Sequence, residues 1–348
     1  MTKFLISLLI PLLFMACGNG GSKTPLFGIN LEGGKKKFQK NQTIGVTIDN
    51  KKEKAISKVV YSIDGKELPV YNDMITLNAP RLGNRVLKAR VAYEDGEAEI
   101  TKNIRVLSEN APEVYTYEIV NTYPHDTGAY TQGLEFHNDT LYEGTGKRGR
   151  SFLRKFDYKT GKVLDQVDLD DTFFGEGITI LNDRIYQLTW RGKTGFIYDL
   201  KEFKKVDSFQ YGESTEGWGL CNDGEKIYKS DGTEKIWFLN PNTLVEEGFI
   251  EIVTNKSVFN KANELEYVNG KIYANVYQRP SVMIIDAQSG AIEGVINFGG
   301  LDKKVTKSAN WSATDNVLNG IAYHPTRKTF FVTGKDWDKL FEVTISKK

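Results

Sequence analysis

GEGITI at 175–180 belongs to a phrase that the chain repeats five times, and this repeat decides the fold. Each copy has a strand, a tight turn and a returning strand. The other first strands are TQGLEF (131–136), GWGLCN (217–222), NELEYV (263–268) and LNGIAY (318–323). The returning strands are LYEGTG (141–146), IYQLTW (185–190), IYKSDG (227–232), IYANVY (272–277) and FFVTGK (330–335). Successive copies are 44, 42, 45 and 56 residues apart, which is typical of the blades of a β-propeller.

Two residue positions recur at fixed places in this repeat. The first column is Gln132, Glu176, Trp218, Asn263 and Asn319, and the second is Gly146, Trp190, Gly232, Tyr277 and Lys335. The columns are 14 residues apart in four copies and 16 in the last, about the length of a strand, a turn and a return. Because an antiparallel return brings the chain back to the end it left, both columns are expected at one mouth of a central channel.

The pattern predicts an all-β chain with two domains. Residues 112–348 are predicted to form a five-bladed β-propeller, in which the segment VYTYEIVN (114–121) supplies the strand that the last copy lacks. Residues 26–110 have alternating apolar residues and the hairpin signals Asp64-Gly65 and Asp95-Gly96, which favour an immunoglobulin-like β-sandwich. We expect this first domain to be a spacer or an interaction module.

Composition sets limits on the partners of the chain. Its 348 residues are 40% hydrophobic and carry a net charge of +1, which allows packed cores and predicts no nucleic-acid partner. The lysine run at 35–37 is expected to be a solvated loop.

The N-terminus resembles that of an exported lipoprotein. Lys3 precedes an apolar run at 4–16 that is too short to span a bilayer, and Cys17 follows it. We expect residues 1–17 to be a lipoprotein signal peptide with Cys17 lipidated, and 18–25 to be a linker. A lipid chain there would tether the protein to the bacterial cell envelope, and Gly18 favours the outer membrane.

The two cysteines, Cys17 and Cys221, also bear on stability. If Cys17 is lipidated, no intrachain disulfide can form, and stability must come from burial. Cys221 lies inside a predicted strand, where a small buried apolar role is favoured over a nucleophilic one.

Several column residues are candidates for chemistry. Glu176, flanked by glycines, is either a general base or a member of a structural polar ring, and the base is favoured. Trp190 and Trp218 fit equally well as core residues or as an aromatic wall for a substrate. Lys335 is the only charged residue of the second column, which favours a functional role. Asn263 belongs to the first column, and Glu264, which follows it, stands where the other copies have a glycine.

Metal chemistry is a less favoured alternative. His125, His137 and His324 have no zinc-ligand spacing. The oxygen ligands Glu176, Asn263 and Asn319 would suit a calcium-dependent hydrolase, whereas Lys335 and the aromatic column residues argue against that alternative.

Nine phrases together resemble the glutamine cyclotransferase family of plant and bacterial type. They occur in order, the resemblance that they carry extends over essentially all of residues 115–345, and the first 110 residues lie outside it. The phrases are YTQGL (130–134), FGEGIT (174–179), QLTW (187–190), GWGL (217–220), SDGT (230–233), NELEY (263–267), ANVY (274–277), LNGIA (318–322) and TGKDW (333–337).

The resemblance implies a five-bladed propeller that cyclises N-terminal glutamine to pyroglutamate with loss of ammonia. It implies no cofactor, while leaving room for a structural cation in the channel. The implied site is Tyr130, Gln132, Phe174, Glu176, Trp190, Trp218, Asn263, Tyr277 and Lys335. Tyr130 and Tyr277 stand where the plant pattern has Phe and Trp, which puts substrate preference in question more than activity.

A mechanism follows for peptides with N-terminal glutamine. Aromatic residues would hold the glutamine stem in a bent conformer. Glu176 would transfer the proton from the amine to the departing ammonia, and Lys335, with Asn263 or Gln132, would stabilise the oxyanion. The alternative is a non-catalytic propeller that binds peptides or proteins at the same mouth, because this fold hosts many functions.

Overall fold

The computed structural model describes residues 25–348, which are built almost entirely from β-strands. The predicted signal peptide at 1–17, with Cys17, and nearly all of the predicted linker lie outside these residues. Over residues 25–348 no helix has the length and apolarity required to cross a bilayer.

The first strands of the described chain form two sheets. One sheet has the order β1-β3-β7-β6 and the other β2-β9-β8-β4-β5. A short 3-10 helix at Glu32–Gly34 follows β1. The strands are β1 (Phe27–Leu31), β2 (Lys37–Gln39), β3 (Thr43–Asn50), β4 (Ile56–Ile63), β5 (Lys66–Leu68), β6 (Val70–Tyr71), β7 (Met74–Thr76), β8 (Gly83–Tyr93) and β9 (Gly96–Leu107).

The two predicted hairpin signals have different outcomes. Asp64-Gly65 forms the two-residue turn between β4 and β5, because Ile63 pairs with Lys66. The signal at 95–96 is wrong by one residue: Tyr93 pairs with Gly96, so the turn consists of Glu94 and Asp95. Gly96 instead begins β9, with a φ of 139° that few other residues adopt.

The rest of the chain forms three sheets of four strands and one of eight. A second 3-10 helix, Leu301–Lys303, lies between β26 and β27. The strands are β10 (Glu113–Pro124), β11 (Thr131–His137), β12 (Thr140–Thr145), β13 (Phe152–Asp157), β14 (Lys162–Asp168), β15 (Gly175–Leu181), β16 (Arg184–Thr189), β17 (Thr194–Asp199), β18 (Lys204–Gln210), β19 (Leu220–Asn222), β20 (Ile227–Ser230), β21 (Lys235–Leu239), β22 (Glu246–Glu251), β23 (Ala262–Val268), β24 (Lys271–Val276), β25 (Ser281–Asp286), β26 (Ile292–Asn297), β27 (Leu318–His324), β28 (Thr329–Gly334) and β29 (Lys339–Lys347).

Strand β10 links the start of this region to its end. The four-stranded sheets are β11-β12-β13-β14, β15-β16-β17-β18 and β19-β20-β21-β22. The eight-stranded sheet has the order β23-β24-β25-β26-β10-β29-β28-β27, so it joins two groups of four strands, one that begins with β23 and one that begins with β27. β10 pairs antiparallel with β29, as the sequence predicted, and its first residues also pair parallel with β26. The strand therefore covers the edge that β29 would otherwise expose.

The first strands of these sheets contact one another in a closed sequence, β11 to β15, β19, β23, β27 and back to β11. Glycines allow this close approach. A Cβ at Gly133 would lie 2.4 Å from the Ile178 nitrogen, and one at Gly219 would lie 2.1 Å from the Asn263 oxygen. Each neighbouring pair of sheets buries its own apolar cluster, which fixes the sheets around the inner strands.

Cys221 lies in one of these apolar clusters, between the β19 and β23 sheets. Its thiol is free and buried. Burial raises the pKa of this thiol well above its ordinary value, so the thiolate needed for nucleophilic chemistry is disfavoured.

Glu264 joins three of the inner strands. It stands on β23 at the position that glycine occupies in the other copies of the repeat. Its carboxyl oxygens accept hydrogen bonds from the backbone N–H groups of Leu134, at 3.2 Å, and Ile321, at 2.8 Å. The exception to the glycine pattern therefore ties β23 to β11 and β27.

The N-terminal sheets contact the later sheets through Glu251, the last residue of β22. Its carboxylate accepts hydrogen bonds from the Asn84 backbone N–H and side-chain amide, each at 2.9 Å, and from Arg85 at 3.3 Å. Val253 and Ala291 belong to the same apolar cluster as the N-terminal core. Because Glu251 is buried, loss of Arg85 would leave an unpaired buried charge, so this contact couples the two parts of the chain.

Buried carboxyl groups on the inner strands should make stability depend on pH. Burial, reinforced by repulsion from Glu135, raises the pKa of Glu266 well above its ordinary value, and burial raises the pKa of Glu135 to about 7. The folded state therefore binds more protons than the unfolded state above about pH 4.5, so stability should fall as pH rises from there through 7.

Substituting Glu266→Gln removes one of these titrations and keeps the acceptor for the Tyr323 N–H. We expect the melting temperature of the variant to decrease less between pH 5 and pH 8 than that of the wild type. Differential scanning calorimetry at both pH values measures this. An identical change with pH in both proteins would contradict the prediction.

Candidate functional site

All nine residues that the sequence assigned to a site line one cavity of about 340 Å³. Four further residues complete its lining: Lys147, Arg191, Glu216 and Asp315. The nine are Tyr130, Gln132, Phe174, Glu176, Trp190, Trp218, Asn263, Tyr277 and Lys335. The repeat therefore brings together residues that are up to 205 positions apart along the chain.

The ends of the inner hairpins place these side chains. Gln132, Glu176 and Asn263 lie at the start of β11, β15 and β23. Trp190 and Lys335 directly follow the returning strands β16 and β28. Since a hairpin returns to the end at which it began, both columns reach the same face.

Glycines of the second column make room for aromatic rings. A Cβ at Gly146 would lie 2.2 Å from the Phe174 ring, and one at Gly232 would lie 2.5 Å from the Trp218 ring. Gly232 also has a φ of 80°, which favours glycine. These two column positions therefore support the wall without contributing a side chain to it.

Aromatic rings line much of the cavity. Phe174 packs against Trp190 at 5.6 Å between ring centroids and against Tyr130 at 6.0 Å. Trp218 and Tyr277 pack edge to face at 5.3 Å. Such pairs stabilise each other beyond simple burial, and the rings provide an apolar surface for an aliphatic stem.

Glu216 holds the two tryptophans of the wall. Its Oε2 accepts hydrogen bonds from the indole N–H groups of Trp190, at 2.7 Å, and Trp218, at 2.9 Å. Its Oε1 accepts one from Arg191 at 2.9 Å. The repeat does not mark this residue, because it lies two positions before the column, in the connection that precedes β19.

Glu176 is a buried carboxyl group with an unused oxygen. It is 3% exposed, and its Oε2 has no hydrogen-bond partner. Burial raises its pKa well above the ordinary value, although Lys335 and the Gln132 amide favour the ionised form. A carboxyl group with a raised pKa is closer to the range in which a side chain can act as a general base and acid.

Lys335 is a buried ammonium group on the same cavity. Its Nζ lies 4.6 Å from the centre of the Tyr130 ring and 5.6 Å from that of Tyr277. Burial lowers its pKa to about 8, while Glu176 and Asp315 act in the opposite direction. The group is therefore largely protonated at neutral pH and is held by ring faces, which leaves its N–H donors for a ligand.

Asn319 does not line the cavity, although it occupies the first column. Its amide donates hydrogen bonds to the Thr131 backbone oxygen, at 2.9 Å, and to the Gln132 side chain, at 3.0 Å. Asn319 therefore orients Gln132.

Across residues 25–348, no three His, Cys, Asp or Glu side chains group as a metal site would require.

Comparisons with known proteins point to one family. A family model described as Glutamine cyclotransferase matches residues 90–345. Glutaminyl-peptide cyclotransferase of Arabidopsis thaliana is 39% identical over 229 residues, which are 66% of this chain and 71% of that protein. The crystal structure of Myxococcus xanthus glutaminyl cyclase aligns with a TM-score of 0.63 at 32% identity, covering 68% of this chain and 99% of that one.

The role of Glu216 in holding the wall can be tested by Glu216→Gln. Both indoles donate to one oxygen and Arg191 donates to the other, so the amide NH2 of glutamine must face either the indole N–H groups or Arg191. We therefore expect both indoles to become more mobile. Acrylamide quenching of tryptophan fluorescence should increase, while the far-ultraviolet circular dichroism stays that of a β protein. Glu213→Gln, on the same connection but exposed, is the matched control. Equal quenching in both variants would contradict the assignment.

Proposed function

The chain belongs to the glutamine cyclotransferase family, and on that premise we propose that it is a glutaminyl-peptide cyclotransferase. It would convert the N-terminal glutamine of peptides or proteins to pyroglutamate and release ammonia. One observation carries this proposal for the site itself: a buried carboxyl group, a buried ammonium group and aromatic rings line one cavity. Its volume of about 340 Å³ lies within the range of small-molecule pockets.

We also propose the domain organisation that the sequence predicted. The sheets that begin with β11, β15, β19, β23 and β27 would be the blades of a five-bladed propeller over 112–348. The closed sequence of contacts between their first strands supports this. The two N-terminal sheets would form the immunoglobulin-like sandwich of 26–110.

From the sequence alone, we propose that lipidated Cys17 anchors the protein to the cell envelope.

The proposed reaction needs no group from outside the chain. The substrate α-amine attacks the γ-carboxamide carbon and forms a carbon–nitrogen bond, while Glu176 takes a proton from the amine. The carbonyl oxygen becomes an oxyanion, which Lys335 and Asn263 stabilise by hydrogen bonds. Glu176 then gives the proton to the amide nitrogen, ammonia leaves, and the carbonyl of the five-membered ring forms again.

The aromatic wall would provide the proximity that cyclisation requires. Trp190, Trp218, Phe174 and Tyr277 would pack the aliphatic stem of the glutamine, and Gln132 would hold Glu176 from the side. Because both reacting groups belong to one substrate, restricting that substrate to a bent conformer is worth a large part of the rate.

Ammonia release from a dipeptide amide with N-terminal glutamine tests the activity. A second arm adds a chelator, because a calcium-dependent enzyme would lose activity there, and an N-acetylated dipeptide is the negative control. We expect ammonia from the free peptide with and without chelator. Binding of the peptide without ammonia release would favour the alternative of a peptide-binding propeller.

The Glu176→Gln variant tests the proton-transfer role. Glutamine has nearly the same shape but cannot take the amine proton, so we expect ammonia release to fall by about 10²- to 10⁴-fold. The dissociation constant for the dipeptide, measured by titration calorimetry, should change by only a few-fold. Turnover at the wild-type rate would refute the role.

Lys335→Met tests the oxyanion role, because methionine keeps the apolar stem and removes the charge. We expect kcat to fall by about 10²- to 10³-fold and KM to change much less. In the wild type, kcat should decrease as pH rises through about 8, where Lys335 loses its proton. Lys193→Met, an exposed lysine near the same mouth, is the control. A change in KM alone would assign Lys335 to substrate binding.

A further inference from the structure

The connection before β27 is longer than its counterparts and is tied to the segment that carries Lys335. It spans 298–317, whereas the connection before β15 spans 169–174. Near its end, Asn316 donates hydrogen bonds to the Lys335 backbone oxygen, at 3.2 Å, and to Asp336, at 3.0 Å. The Lys335 N–H in turn donates to the Val317 oxygen at 2.9 Å. The end of this connection therefore has a defined place beside Lys335.

This connection places Asp315 on the wall of the cavity. Its Oδ1 accepts a hydrogen bond of 2.5 Å from the Tyr130 hydroxyl, and its Oδ2 accepts one of 2.9 Å from Lys147. A phenylalanine at position 130 would give Asp315 no hydroxyl to bind.

The Tyr130 ring lies next to two ammonium groups. Lys147 Nζ is 4.0 Å and Lys335 Nζ is 4.6 Å from its centre. Two cations near one ring repel each other, so an anion in contact with both the ring hydroxyl and Lys147 lowers the electrostatic cost of the arrangement. Asp315 is the carboxylate that makes both contacts.

Charged groups approach Lys335 from four segments. Glu176 comes from β15, Asp315 from 298–317, Lys147 from the turn after β12, and Asp336 directly follows Lys335; all four act on its protonation. Tyr130 and Tyr277 are further titratable neighbours, through their rings. Removing the negative charge of Asp315 takes from Lys147 the carboxylate that its ammonium group contacts.

We propose that Asp315 is a positioning residue of this site, which holds the Tyr130 ring against Lys335 and keeps Lys335 in its ammonium form. This inference rests on the proposed function, because it assigns to Asp315 the maintenance of the group that would stabilise the oxyanion. The long connection before β27 is then a part of the catalytic apparatus, and the hydroxyl of Tyr130 is its point of attachment.

The first test measures Lys335 directly, without turnover. Trace acetic anhydride acetylates neutral amines, so the extent of Lys335 acetylation against pH, read by mass spectrometry, gives its apparent pKa. We expect Asp315→Asn to lower this pKa and Asp315→Glu to restore it. Asp302→Asn, on the same connection but paired with the exposed Lys307, should leave it unchanged.

The second test measures catalysis as a function of pH. With Asp315→Asn, we expect kcat for the glutamine dipeptide to fall about threefold at pH 8.5 and little at pH 6.5, because the loss of a nearby opposite charge favours neutral Lys335. Tyr130→Phe removes the attachment alone. Its effect and that of Asp315→Asn should be less than additive in the double variant, since both break the same contact.

The outcomes separate this inference from the proposed function. An unchanged Lys335 pKa in Asp315→Asn would overturn the inference, and so would a pH-independent loss of kcat accompanied by a lower melting temperature. If the wild type releases no ammonia, the proposed function fails. The labelling experiment would then still decide whether Asp315 controls the charge of Lys335.

Discussion

A carboxyl group and an ammonium group are held out of water on the walls of one cavity, and the proposed function depends on their staying there. Glu176 and Lys335 are each nearly inaccessible to solvent, although burial penalises both charges. Burial shifts their pKa values toward each other: upward for Glu176 and downward for Lys335. These directions agree with the proposed roles of Glu176 as proton carrier and of Lys335 as the cation that stabilises the oxyanion.

Close packing of the inner strands holds these two buried charged groups in place. The strands approach so closely that glycine is required after most first-column residues, and Glu264 replaces one glycine to bind two neighbouring strands. Apolar clusters between the sheets then hold the ring of strands rigid. Because this packing fixes the inner strands, the cavity stays open and the buried charged groups on its walls keep their places.

Much of the site could be predicted from sequence because it repeats. Lys335 and Trp190 follow equivalent strands, so their places in the repeat identified them together, although the last copy has an offset of 16 residues in place of 14. Glu216 and Asp315 come from connections whose length and composition differ between copies, and no period marks them. The longer last spacing was the available signal for Asp315, but spacing alone does not say which residue points to the cavity.

Other differences have local physical causes. Asn319 occupies a column position, yet its amide donates hydrogen bonds to Thr131 and Gln132. It therefore orients Gln132 without lining the cavity itself. The second hairpin turn of the N-terminal region shifted by one residue because the register of β8 and β9 places Gly96 opposite Tyr93. The repeat in the sequence predicts the order of the strands, whereas side-chain contacts and strand register determine these details.

The most direct test is a crystal structure of the Glu176→Gln variant with a dipeptide that begins with glutamine. The account predicts that the α-amine lies within about 3.2 Å of the residue 176 side chain. The γ-carboxamide oxygen should point to the Lys335 Nζ, with the stem against the tryptophans. A peptide bound outside this cavity, or with its amine turned away from residue 176, would contradict the account.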